Sequence, residues 1–291
     1  MEQRHPNHPG ELSVEAAAAE MLRDEGELHA RARAIQVLTE NGVPFLVGGA
    51  YAFATYTGIY RDTKDLDLFP RKADALRALE LLERDGWRTE RTDEVWLYKA
   101  FKGEWFVDLI FSSGNGVAVV DDEWFTHSRM GVVFDQKVSI CPAEEMIWSK
   151  GFVTERERFD GADVNHLIRC AGKEMDWDRL LRRFDRHWEV LLGHLMFYRF
   201  AYPSDRENVP NEVMADLLSR TVATVKEGNW SPRTCRGNLI SRVNYTVDIN
   251  SWGYRDGRAW DEGERKRGEP RGEGSSVESA GRGGGGSSLP G

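Results

Sequence analysis

Cysteine is scarce in this chain: three among 291 residues, Cys141, Cys170 and Cys235, none at a paired metal-ligand spacing from another. An odd, scattered set does not make a disulfide framework or a cysteine zinc site, and a reducing cytoplasm is the simplest reading. Basic charge is also short, with 39 Lys and Arg against 48 Asp and Glu and a formal net charge of −9. That argues against tight, indiscriminate binding to nucleic acid, which rests on neutralising phosphates; it leaves a local basic patch open. Residues 1–10 carry charges, two His and two Pro where a secretory signal needs an apolar run, so no export signal is expected. Long apolar runs are missing except for a charge-free stretch over residues 41–60. Pro44, the Gly48-Gly49 pair and Gly58 make that stretch a strand, a tight turn and a helix rather than a membrane span.

Apolar surface itself is not short. The chain is 40% hydrophobic, with ten Trp, thirteen Phe and eight Tyr, enough to bury one large core or two modest ones without staples. Residues 13–40 have apolar positions at three-or-four spacing and predict a helix ended by Gly42. A buried strand is predicted over 43–47, a turn at Gly48-Gly49, and a helix from Ala50 to Thr57. Residues 65–69 alternate acid with leucine, as a strand with two different faces would. Helix returns over 72–86, and strands over 96–101, 104–111, 131–134 and 137–141 then dominate.

From Pro142 onward only helices are expected. Pro142 is placed in a first turn with Glu144 and Glu145 behind it, followed by helices over 160–170, 177–198 and 211–225. Past Gly257 the composition turns to Gly, Ser, Glu and Arg and predicts a disordered tail. The division read from this is an N-terminal helical segment (1–40), an α/β (α+β) core on a mixed sheet with flanking helices (41–141), a C-terminal helical bundle (142–256) and the tail (257–291).

The chemistry concentrates in three aspartates. A strand has a side-chain period of two, so Asp65 and Asp67 share a face while Leu66 and Leu68 take the other. Like charges that close raise each other's pKa unless a cation lies between them, and Mg²⁺ suits an all-oxygen site. Asp108 stands in the apolar run Trp105-Phe106-Val107-Asp108-Leu109-Ile110-Phe111, where a lone carboxylate is expensive to bury without a partner or metal. On a neighbouring strand it would complete a two-metal site for in-line attack on a phosphoryl group.

These residues carry a resemblance. Leu46-Val47-Gly48-Gly49, Arg61-Asp62-Thr63-Lys64-Asp65-Leu66-Asp67-Leu68 and Val107-Asp108-Leu109 resemble the glycine turn, paired aspartates and third aspartate of the DNA polymerase β-type nucleotidyltransferase superfamily. With Lys150, Arg156, Arg158, Asp160 and Asp163, the pattern is similar to the AbiEii/AbiGii toxin-like branch of minimal bacterial nucleotidyltransferases, over about residues 43–167. The resemblance implies a nucleotidyltransferase-fold mixed sheet, an NTP substrate and Mg²⁺, two ions in number. Gly48 and Gly49 would hold the phosphates, Asp65, Asp67 and Asp108 the metals, and Arg61 and Lys150 the triphosphate, with Arg156, Asp160 and Asp163 nearby. It implies a tRNA 3′ end as one acceptor class, with a small molecule as the rival, and allows an antitoxin protein as partner. A catalytically silent nucleotide-binding protein on the same scaffold is the reading outside enzymology, and the intact aspartates argue against it.

Other features have plainer readings. Lys150 shares a helical face with Met146, Ile147 and Val153, which suits either a site lysine or one reaching along apolar surface to water. Arg179, Arg182, Arg183 and Arg186 line one side of a predicted helix and read as a solvated face paired with nearby Asp, contact with RNA phosphates being the alternative. His187 and His194 have no ligand-spaced partner and are read as structural.

Overall fold

The computed structural model describes residues 25–61, 63–227 and 233–258. The expected helix over 13–40 therefore lies partly outside the described residues, and so does the predicted tail from residue 259. Its described part is α1 (Glu25–Glu40). Around it stand β1 (Leu46–Val47), α2 (Gly49–Thr57), β2 (Asp65–Phe69), α3 (Lys72–Arg84), β3 (Arg88–Asp93), β4 (Leu97–Lys102) and β5 (Trp105–Ile110). α4 (Asp122–Thr126), β6 (Arg129–Val133) and β7 (Gln136–Ile140) complete the sheet region.

The seven strands form one mixed sheet in the order β3-β4-β5-β2-β1-β7-β6. β2 runs parallel to β5 and antiparallel to β1, while β1 runs parallel to β7. Leu66, Leu68, Val107 and Leu109 are fully buried in a core shared with Ile35 and Leu38 of α1 and Ala75 and Ala78 of α3. Burying each such leucine contributes about 1.5–3 kcal/mol. The alternation fixes which face of β2 they take, and thereby fixes the opposite face for Asp65 and Asp67.

Four departures from the sequence reading have local causes. The strand expected over 43–47 shrinks to two residues, because Val43 N–H bonds back to Leu38 O at 3.0 Å as the end of α1 and Pro44 has no N–H to give. β3 was invisible because it is an edge strand of sequence RTERTD with no apolar period, and its charges protect a free edge. α4 is a short helix capped by Asp121, whose carboxylate accepts from Glu123 N–H at 3.0 Å. Pro142 lies one position before its helix, α5 (Ala143–Gly151), as the N-cap.

Beyond it come α6 (Gly161–Ala171), α7 (Trp177–Phe184), α8 (Trp188–Ala201) and α9 (Asn211–Glu227). The single helix expected over 177–198 is thus two, broken at Asp185, which turns to φ 40°. Both halves face the same core through Leu180, Phe184, Leu191, Leu195 and Tyr198, so the apolar period runs across the break and conceals it. Nor is the C-terminal part all helix: β8 (Thr234–Cys235) and β9 (Arg255–Asp256) pair in parallel on either side of the short α10 (Thr246–Asn250). Among the described residues no helix is long and apolar enough to cross a membrane.

Two members of the arginine row, Arg179 and Arg183, are turned into ion pairs with other elements, while Arg182 stays exposed. Arg179 is 3% exposed and pairs with Glu144 at 2.9 Å and Glu145 at 2.8 Å. Arg183 pairs with Asp121 at 2.6 Å and Glu145 at 3.2 Å. The partners sit on another helix and on the loop before α4, which spacing along one helix cannot reveal. His187 and His194 are buried; His194 Nε2 bonds to Gly151 O at 2.8 Å, and burial holds its pKa below the ordinary value.

Removing one member of this buried cluster strands the others. Arg179→Met is expected to lower stability by roughly 3–5 kcal/mol in urea denaturation, with part recovered by adding Glu145→Gln. An additive double variant would show that the two groups do not depend on each other.

Candidate active site

β1 ends at Val47, Gly48 is the N-cap of α2, and Gly49 opens α2 at φ 53°. A Cβ at Gly49 would collide with the Asp67 carboxylate, so both the backbone angle and the space require glycine. Gly48 N–H donates to Asp67 O at 2.9 Å, which locks the glycine bend against the first aspartate strand.

Asp67 of β2 lies directly opposite Asp108 of the parallel strand β5, and Asp65 lies two residues back on the same face. The three carboxylates offer oxygens that all lie within 4.8 Å of one another. Burial pushes Asp67 up to about 7, and the neighbouring charges of Asp65 and Asp108 add to it. Burial also raises Asp108, against the pull of Lys99. The Lys99 ammonium, on β4 directly opposite Asp108, donates to both its oxygens at 2.6 and 2.9 Å. Thr63 donates its hydroxyl to the Asp65 carboxylate. Three acids crowded together are suited to hold a divalent metal ion, since all the donors are hard oxygens.

A second cluster faces them. Lys150 of α5 bridges Asp160 at 3.1 Å and Asp163 at 2.8 Å. Arg61 reaches Asp163 at 2.5 Å with its guanidinium over the Phe53 ring, and Arg158 makes two bonds of 3.0 Å to Asp160. Burial would raise Asp160 and Asp163, but hydrogen bonds from Arg158, Arg61 and Lys150 hold both below the usual carboxylate range. Lys150 is therefore an ion-paired lysine inside the cleft.

The structure gathers Gly49, Arg61, Asp65, Asp67, Asp108, Lys150, Asp160 and Asp163 around one cleft of about 540 Å³. Gly48 is outside its lining, behind Gly49 and against Phe69 and Cys141. Arg156 stands outside the cleft lining. Its side chain is 83% exposed and its carboxylate neighbour is Glu157, because residues 154–159 form a turn closed by the Thr154–Phe159 bridge rather than a helix. Arg158 takes the place in the cleft. Sequence reasoning also missed Lys99, although a signal existed: a two-residue turn at Gly103 and Glu104 pairs Lys102 with Trp105 and, counting outward, Lys99 with Asp108.

The chain belongs to the family described as nucleotidyl transferase of unknown function (DUF2204), which it matches over residues 27–180. It is thus a nucleotidyltransferase. Among solved structures it is similar to the antibiotic-resistance factor ANT(2″)-Ia, with 17% identity, a TM-score of 0.40, and 59% of this chain and 97% of that one covered. Lincosamide antibiotic adenylyltransferase LnuA, solved with lincomycin bound, gives 16% identity and a TM-score of 0.36 over 50% of this chain and 96% of its own. An antigenic nucleotidyltransferase-like protein from Paracoccidioides brasiliensis gives 14% identity and a TM-score of 0.39 over 64% and 94%. No curated protein matches the chain.

The raised Asp67 has a measurable consequence. Its folded pKa near 7 lies above the unfolded carboxylate value, so metal-free stability falls as pH rises from about 4 to about 7 and stays low above that. Asp67→Asn removes the penalty. In metal-free buffer at pH 8 the variant is expected to be more stable than the parent by on the order of a few kcal/mol, and the gain should vanish near pH 4. Equal melting curves at pH 8 would mean that ionised Asp67 carries no such penalty.

Proposed function

We propose that this protein transfers the nucleoside monophosphate of an NTP to an acceptor hydroxyl and releases pyrophosphate. The convergence of Asp65, Asp67 and Asp108 beside the glycine bend supports this reading most directly. Asp65, Asp67 and Asp108 would hold divalent ions, Mg²⁺ and two of them, which neutralise phosphate charge and lower the pKa of a coordinated hydroxyl.

The remaining steps belong to the chain. Gly49 and the following N–H groups at the start of α2 receive phosphate oxygens. Arg61, Lys150 and Arg158 draw the triphosphate, and Asp160 and Asp163 keep these cations aligned. The acceptor oxygen bonds to the α-phosphorus as the bond to the pyrophosphate oxygen breaks, and Asp108 takes the hydroxyl proton. Lys99 holds Asp108 in position for this.

For the acceptor we favour a small molecule. A tRNA 3′ end, together with the toxin role and antitoxin partner of the AbiEii/AbiGii branch, calls for cationic groups that meet phosphates along a strand. Two arginines of the row, Arg179 and Arg183, are committed to Glu144, Glu145 and Asp121, which leaves Arg182 as the exposed arginine of α7. We place the reaction in the cytoplasm.

The test is to incubate the protein with Mg²⁺ and each α-labelled NTP in turn, with total tRNA in one arm and a small-molecule alcohol panel in the other. Label is expected in the small-molecule arm only, falling by at least about 100-fold in Asp67→Ala. Label on tRNA alone overturns the acceptor, and no label with any NTP overturns the reading as a whole.

A further inference from the structure

The cleft has two chemically different halves. Because β2 and β5 run parallel with Asp67 opposite Asp108, both strands leave the carboxylates in the same direction. Two residues on, the period of two returns Phe69 and Ile110 to the cleft face. Trp124 joins them, its ring stacked on Phe69 at 5.5 Å, and Trp96 enters from the residue before β4, where its carbonyl accepts from Phe111 N–H at 3.0 Å. Ser112 also lines the cleft. None of these five side chains carries a charge, whereas Arg61, Lys150 and Arg158 with their aspartates also line the cleft.

Two polar atoms in the uncharged half are buried without a partner, Ser112 Oγ and Trp124 Nε1, and Ser112 is only 4% exposed. Aromatic walls with a few unpaired polar atoms are the make of a small-ligand pocket, and the cleft's volume is in the range of such pockets. The far end is also walled. At Ser113 and Gly114 the cleft adjoins a smaller cavity of about 110 Å³ lined by residues 239–242. That segment is tied to both rims, through Asn115 Nδ2 to Leu239 O at 2.7 Å and Thr154 N–H to Ile240 O at 3.0 Å.

Resting on the transfer reaction above, we infer that the acceptor is an uncharged, ring-bearing alcohol of low molecular weight. A polycation would need carboxylates in this half, and a polyanion would need cations; either charge would lose its hydration there with nothing in return. The ring lies against Trp96 and Ile110, a polar substituent bonds to Ser112 Oγ, and the reacting hydroxyl reaches back to Asp108. The rival occupant of the same half is the base of the NTP.

Three probes with one ring and different charge decide: 2-naphthylmethanol, the cation 2-naphthylmethylamine and the anion 2-naphthoate. Binding is read by tryptophan fluorescence and calorimetry on the full chain, and Mg²⁺·ATP binding is measured separately. The alcohol is expected to bind at least about tenfold more tightly than either charged probe. Trp96→Ala should weaken it by about tenfold, through loss of an aromatic contact, and leave ATP binding unchanged, while Trp96→Phe retains most of the affinity. Equal or tighter binding of a charged probe, no binding of any probe while ATP still binds, or an equal loss of ATP and alcohol affinity in Trp96→Ala each overturns the proposal. If the alcohol binds as expected but takes no label from an NTP, the transfer reading fails and the pocket assignment stands.

Discussion

The structure is organised around three carboxylates crowded at one partly buried point. Asp65, Asp67 and Asp108 are brought together by the pairing of β2 with β5, and that pairing is held by Leu66, Leu68, Val107 and Leu109 in the core on the other face. The strands cannot spread the acids apart without moving leucines into water, so apolar burial keeps the acids together. A site of this kind is poised for cations. Within the chain, Lys99 answers part of the demand at Asp108, and Gly49 leaves the room beside Asp67.

Around that centre, charge is handled in two ways. The cations of the cleft, Arg61, Lys150 and Arg158, are set against Asp160 and Asp163, which are themselves held ionised. These pairs can reorganise when an anionic ligand arrives, because Arg61 and Arg158 are partly open to solvent. The second cluster, Glu144 and Glu145 with Arg179 and Arg183, is buried and fixes α5 to α7. It keeps the helix that carries Lys150 in place, a structural role for two arginines, Arg179 and Arg183, that spacing along one helix does not disclose.

The parts of this arrangement that were legible in the sequence are those written in local period. Asp65-Leu66-Asp67-Leu68 announces a two-faced strand, and the acid inside 105–111 announces a buried charge in need of company. The sheet, the glycine bend and the helices after Pro142 followed from the same kind of pattern. What was not legible depends on contacts across elements. Arg179 reads as a surface arginine until α5 is laid against it, and Asp185 breaks a helix whose apolar stripe continues undisturbed. Arg156 and Arg158 are indistinguishable by spacing, and only the turn over 154–159 sends one to solvent and the other to Asp160. Lys99 lay between these cases, available to anyone who counted outward from the turn at Gly103.

The most direct test of the account is a calorimetric titration of Mn²⁺ into metal-free protein at pH 7.5, beside Asp108→Asn and Lys99→Met. Convergent carboxylates predict saturable binding to the parent, weakened at least about tenfold in Asp108→Asn, where a charged ligand is lost, and strengthened in Lys99→Met, where a competing cation is removed. Absence of saturable binding to the parent, or equal affinity for the parent and Asp108→Asn, would contradict it.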